Sequence, residues 1–300
     1  MSAVDDSSVS NPSFESPSVK MNRRHGRSRG GFARVLPDFN IALDLNDHNF
    51  AEIEEMFYES HLLVLPGQTL SPKQFHDWAS RFGRPEPHVI NQFHHCEFPD
   101  ILWLSNVVKH GVPQGLADAG TYFHTDYSYL TKVARATTLY SIEVPSIGGN
   151  TLFADQTAAW EDLPHAMKQE IESLMARHHY GNRDDLNEAS RTVASVLSDE
   201  QKELVTWVTH PLVMTHWYTG RRALYAVSGS SFEIEGMPAR EGRQLLDQLK
   251  QHATHPRYRE SVSYKPGDVV IWDNLALLHA ATLTDPSMPR TLWRITVKAP

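Results

Sequence analysis

One cysteine in 300 residues, Cys96, excludes an internal disulfide and fits a reducing compartment such as the cytoplasm. No apolar run is long enough to span a bilayer, so no membrane anchor is expected. Positive charge is scarce as well: 28 Lys and Arg against 36 Asp and Glu leave a net charge of −8. That balance argues against general nucleic-acid binding, which needs a basic face, but not against a local anion pocket. What is plentiful is apolar and aromatic. The chain is 40% hydrophobic, with 7 Trp, 12 Phe and 10 Tyr, enough for a sizeable core. Histidine is plentiful too, at 17, so a single histidine means little by its presence alone.

Residues 1–31 are rich in serine and carry a basic patch between Lys20 and Arg29 without apolar periodicity. They read as a disordered tail, and no apolar stretch follows the charges as in a secretory signal. From 32 to 300 the pattern is that of a single domain without internal repeats. Asp47 is a candidate N-cap for a helix that buries Phe50, Ile53, Met56 and Phe57. Residues 61–65 read as a strand, and Ser71-Pro72 starts a helix with Phe75, Trp78, Ala79 and Phe82 on one face. This strand–helix pair is expected outside the main sheet. Further strands are expected at 100–106, 136–144, 151–154, 212–217, 222–227, 258–264, 268–272, 275–280 and 291–298. Helices are expected at 157–163, at 164–177 and from Pro238, and the polar stretch 181–204 suits a lid or insertion. Many short strands with helices outside them predict a mainly β jelly roll, a double-stranded β-helix with peripheral helices.

Chemistry concentrates in Thr121-Tyr122-Phe123-His124-Thr125-Asp126-Tyr127-Ser128-Tyr129. On a strand, His124 and Asp126 would share a face and could offer a nitrogen and a carboxylate to one metal ion. In so histidine-rich a chain about one such pair arises by chance. His95-Cys96-Glu97 has the same spacing, but it sits in loop-like sequence before Pro99 and is set aside. His279, closing the apolar run 275–278, is placed to face inward and would complete a two-histidine, one-carboxylate set with open positions. Arg290 and Arg294, four apart, could both point into the same barrel, where buried guanidinium groups require anions. Alternatively both pair with acids at the surface. A zinc hydrolase could use the same three ligands, but it would leave Arg290 without an assigned partner.

These residues, with Leu62-Leu63-Val64-Leu65-Pro66-Gly67-Gln68, Arg81-Phe82-Gly83, Gly148-Gly149-Asn150-Thr151, Gly267-Asp268 and Trp272-Asp273-Asn274, occur in a telling order. From about Phe32 to Lys298 the chain resembles the iron(II)/2-oxoglutarate-dependent dioxygenases of the taurine dioxygenase and aryloxyacetate dioxygenase type. The resemblance implies that His124, Asp126 and His279 bind Fe(II), and that Thr151 and Arg290 hold the far carboxylate of 2-oxoglutarate. It further implies that Arg294 binds an anionic group of a small-molecule substrate, with His88 and, three residues on, Asn91 beside it. Tyr122, Tyr127 and Tyr129 would add an aromatic wall, and Tyr180 would line the pocket from the lid side. The implied reaction consumes O2 and 2-oxoglutarate, gives succinate and CO2, and hydroxylates the substrate. Desaturation, ring closure or isonitrile formation are alternative outcomes of the same chemistry, and a non-catalytic jelly-roll binding protein is the alternative outside it; the Asp126 carboxylate argues against halogenation. Asn91 stands where the taurine enzyme has a tyrosine, Gly120 where it has an asparagine, and Phe123 replaces a more usual tryptophan. These departures argue against taurine itself. A homo-oligomer is left open.

Overall fold

The run Val269-Val270-Ile271-Trp272-Asp273 has no polar residue to turn toward water until its last position, and it forms a strand buried along its whole length. Val269 and Ile271 face the helices, while Val270 and Trp272 face the other way into a second core. The computed structural model to which this strand belongs describes residues 31–117, 119–180 and 197–298. Residues 1–30 of the expected tail and 181–196 of the expected lid lie outside the described residues.

This strand is near the centre of a seven-stranded sheet. Its order is Arg34–Val35, Leu62–Leu65, Val269–Asp273, Ala134–Glu143 and Thr291–Lys298, with Arg84–Pro85 and Leu102–Ser105 both paired to the last. Leu62–Leu65 is therefore inside the main sheet, not outside it as its neighbouring helix suggested. The physical reason lies in its composition. Leu63 and Leu65 bury against the helices and Leu62 against the opposite core, so both faces need cover.

Two helices cover one face of the sheet. Asp47–Ser60 starts one residue earlier than its sequence signal: Asn46 is the cap, accepting from the Asn49 N–H, and Asp47 instead pairs with Arg81 at 2.7 Å. Pro72–Arg81 begins with Ser71 and Gln74 in a reciprocal capping box, as its sequence predicts. A second, three-stranded antiparallel sheet is built from Arg259–Val262, Thr151–Asp155 and Leu277–Ala281. The two sheets share a core in which the Phe153 and Trp272 rings meet edge to face at 5.4 Å. Among the described residues the strands form no closed barrel.

The remaining strands and helices flank this pair of sheets. The helix expected over 164–177 stops early: His165–Ile171 is helical, and Met175–His178 is a strand between Val208–Pro211 and Ser231–Ile234. Ala176 and His178, two apart and both buried, carry a strand's period there. The hairpin Val213–Thr215 with Arg222–Leu224 forms as expected, and Ala239–Ala253 buries Leu245, Leu246 and Leu249.

Candidate active site

The stretch 121–129 is not a strand. Only His124 pairs, across an isolated bridge to His279 in which each residue donates its N–H to the other's carbonyl at 2.9 Å. The chain then turns, and Tyr127 adopts a left-handed conformation at φ 55°. Strand alternation therefore does not bring His124 and Asp126 together; a turn does. The outcome is nonetheless convergent. His124 Nε2 and His279 Nε2 lie 3.5 and 3.7 Å from the same oxygen, Asp126 Oδ1, and the imidazole rings are 4.1 Å apart.

Each donor is held from behind. His124 Nδ1 donates to the Tyr122 carbonyl at 2.8 Å, which leaves the Nε2 lone pair for a ligand. Two glycines make room for this ring. A Cβ on Gly120 would come within 2.4 Å of His124 Cε1, and one on Gly229 within 2.6 Å of His124 Cβ. The glycine at 120, a departure noted in the sequence, is thus required by contact. His279 is wedged between Trp272 and Phe153. Burial, with His124 nearby, holds its pKa well below the usual histidine range, so it is a neutral ligand.

Burial opposes charge on Asp126, but Arg294 and the two histidines outweigh it and keep the carboxyl ionised well below the usual range. Arg294 Nη2 reaches Asp126 Oδ1 at 2.7 Å and also donates to Thr296 Oγ1. The other oxygen, Oδ2, accepts from Thr137 Oγ1 at 2.6 Å, and Thr137 in turn accepts from Asn274 Nδ2 at 2.9 Å. Neither Thr137 nor the side chain of Asn274 was singled out from the sequence, because a threonine inside a strand carries no signal of its own. Thr137→Val keeps the shape and removes the hydroxyl. It should weaken Mn(II) binding to the metal-free protein about 10-fold, with Thr137→Ser restoring it. A titration showing equal affinity in all three proteins would remove Thr137 from this role.

Two imidazole nitrogens and one carboxylate on one side of a cavity suit a divalent metal of the iron(II) type with positions left open. A second group of the same composition, His61, His216 and Asp273, lies close together and fully buried. Its geometry differs. His216 Nδ1 accepts two backbone N–H groups, from Tyr218 and Thr219, so its proton sits on Nε2 and is donated to Asp273 Oδ2 at 2.6 Å. His61 Nδ1 reaches the same oxygen at 3.2 Å. A proton, not a metal, fills that gap. The group ties the 216–221 turn and the end of helix Asp47–Ser60 to the main sheet. Asp273→Asn should cost about 2–3 kcal/mol in urea denaturation while metal stoichiometry stays unchanged; loss of one metal equivalent would overturn the hydrogen-bonded reading.

Arg290 is buried, and among the described residues it has no carboxylate partner; its Nε makes one long contact, 3.3 Å, to the Gly149 carbonyl. Burial lowers its pKa, with only the phenol of Tyr264 acting the other way. Thr151 lines the same cavity, its Oγ1 2.7 Å from the Tyr264 hydroxyl. Between Arg290 and the metal ligands lies a space of about 140 Å³ walled by His88, Tyr122, Tyr127, Tyr129, Tyr180, Leu104, Leu116, Leu139, Trp272 and Arg294. His88 Nδ1 accepts the Ile90 N–H, and burial, with the Arg294 charge, pushes its pKa down to about 3. Asn91 stands apart: it is exposed, off the cavity wall, and accepts from Gln201 at 3.2 Å. Phe123 also turns away, packing in a separate core. His95 faces Trp103 and accepts backbone N–H groups of Glu97 and Phe98, gathering no metal-binding set.

The chain belongs to the family described as Taurine catabolism dioxygenase TauD, TfdA family, which it matches over residues 27–296. It is a 2-oxoglutarate-dependent dioxygenase, an oxidoreductase. It is 32% identical over 275 residues to the α-ketoglutarate-dependent 2,4-dichlorophenoxyacetate dioxygenase of Cupriavidus pinatubonensis, covering 88% of this chain and 94% of that one. It is also 32% identical over 269 residues to the pentalenolactone F synthase of Streptomyces arenae, covering 87% and 90%. A similar solved structure is AAD-2 in complex with Mn(II) and N-oxalylglycine. It superposes with a TM-score of 0.72 at 28% identity, covering 89% of this chain and 94% of that one. No helix among the described residues is long and apolar enough to cross a membrane.

Proposed function

We propose that this protein uses iron(II), 2-oxoglutarate and O2 to oxidise a small monoanionic substrate with an aryl or similar apolar body, on a double-stranded β-helix scaffold. One observation supports this above the rest: two buried guanidinium groups, of which Arg290 has no carboxylate partner among the described residues and Arg294 shares Asp126 with the metal position. Together with a divalent ion they exceed Asp126 and the two carboxylates of 2-oxoglutarate by one positive charge. Buried charge of that kind calls for an anionic partner. The aromatic wall suits the substrate's body, and relatives of equal identity carry names pointing to different products. Identity alone therefore does not choose the substrate, and the reading rests instead on the charge and shape of this cavity.

His124, Asp126 and His279 would hold the metal, which supplies the coupling of O2 reduction and 2-oxoglutarate decarboxylation to oxidation of a C–H bond, leaving succinate and CO2. Thr151 and Arg290 bind the far carboxylate and so fix the co-substrate's direction. Arg294, with His88 kept neutral beside it, binds the substrate anion. Tyr127 is anchored through its hydroxyl to the Glu86 carbonyl, and its ring sits 5.8 Å from the Arg294 guanidinium carbon. Tyr129 and Tyr180 pack against each other nearby, their tilted rings 4.6 Å apart, and exclude water from the far side. Where the oxidised carbon lies between an aryl ether oxygen and a carboxylate, hydroxylation gives a hemiacetal that releases the phenol and an aldehyde acid. The test is a matched panel: aryloxy carboxylates, aryl sulfonates and the neutral amides of the same acids, each with Fe(II) and 2-oxoglutarate. Succinate should form with the acids, accompanied by phenol from the aryloxy carboxylates, and not with the amides. Equal turnover of the amides would refute the anion requirement.

A further inference from the structure

Tyr264 is buried yet forms no part of the cavity wall. Nothing in the reaction above uses it. Its place follows from strand pairing: Val262 is opposite Thr151, and the chain continuing to Tyr264 brings the phenol back over the Thr151 side chain. The resulting 2.7 Å contact to Thr151 Oγ1 is the only hydrogen bond of this phenol among the described residues. Arg290 lies close enough for its charge to act on the phenol.

We infer that Tyr264 is a positioning residue for the co-substrate: it donates its O–H to Thr151 Oγ1 and so directs the threonine's own proton at the distal carboxylate of 2-oxoglutarate. This rests on Thr151 and Arg290 holding that carboxylate. A threonine hydroxyl has one proton and rotates freely. If Thr151 donated to Tyr264, an anion beside Arg290 would face a lone pair, which repels it. With Tyr264 donating, the pair becomes a one-way chain from phenol to hydroxyl to carboxylate, and each link strengthens the next. Burial and the loss of hydrogen-bonding water raise the phenol pKa to about 12, so it keeps its proton throughout the range in which the enzyme would be assayed. The nearby guanidinium charge makes that proton a better donor.

The experiment uses the full chain loaded with Mn(II) and measures the dissociation constant of 2-oxoglutarate without O2. Tyr264→Phe, which keeps the ring and removes the hydroxyl, should weaken binding about 10-fold. The metal affinity and the thermal midpoint should stay put. With Fe(II) and substrate, KM for 2-oxoglutarate should rise by the same factor while kcat at saturation changes less than about twofold. Because the effect passes through Thr151, Tyr264→Phe added to Thr151→Ala should weaken binding no further than Thr151→Ala does alone. Unchanged affinity in Tyr264→Phe, or full additivity in the double variant, overturns the proposal. Arg290→Ala separates this from failure of the underlying reading. If it leaves 2-oxoglutarate affinity intact, the seat itself is misplaced; if it weakens binding and Tyr264→Phe does not, only the positioning role is lost.

Discussion

Asp126→Ala should abolish substrate oxidation and weaken metal binding by at least about 100-fold. The carboxylate is the one anionic donor in the group, so its loss leaves only two imidazoles to hold a divalent ion. A second effect follows from the opposite side of the same residue. Arg294 is buried against Asp126 at 2.7 Å, and removing the acid strands a guanidinium in the interior. That should cost about 3 kcal/mol of stability, because an uncompensated buried charge is worse than no charge. Asp126→Ala combined with Arg294→Met should recover much of the thermal midpoint but none of the metal affinity. Titration of the metal-free proteins with Mn(II), alongside thermal denaturation, separates the two effects. An active Asp126→Ala protein would mean that the metal group is misassigned.

Arg290→Ala should behave differently on both counts. The KM for 2-oxoglutarate should rise about 100-fold, the scale expected when a charge-assisted, two-pronged contact to a carboxylate is lost. Metal affinity should change less than about twofold, since Arg290 is outside the metal group. Stability should not fall. Arg290 is buried without a carboxylate partner among the described residues, so deleting its charge removes a desolvation cost instead of creating one. Succinate formation as a function of 2-oxoglutarate, with a melting curve, checks this. A normal 2-oxoglutarate dependence would refute the assignment.

His124, Asp126, His279, Thr151, Arg290 and Arg294 were legible because each belongs to a motif whose chemistry restricts its residue type. The structure gathers all six around one space. The route by which they meet was not legible. The aromatic and β-branched residues of 121–129 pointed to a strand, but the tertiary bridge at His124 and the left-handed turn at Tyr127 override them. Asn91 was chosen by counting from a motif, and counting fails where the chain between 85 and 100 is irregular. Tyr264 and Thr137 act through the side chains of Thr151 and Asp126, and such indirect roles leave no spacing to read. The buried pair His61–Asp273 and its partner His216 were hidden for another reason. Their separation in sequence, with a hairpin supplying the third member, shows up only in three dimensions.

The bridge between His124 and His279 has a consequence for how a metal would come and go. Each of these residues closes the other's amide, so the two metal-facing rings are joined by a pair of backbone bonds as well as by any ion between them. Opening that pair would carry the two rings apart, so an ion held by both opposes the opening and slows deuterium uptake at both amides together. The core strand Leu277–Ala281 lies on one side of the bridge and the loop that shapes the substrate wall on the other. Loading the metal thus lends the rigidity of the sheet to a segment that has almost no hydrogen-bonded ladder of its own.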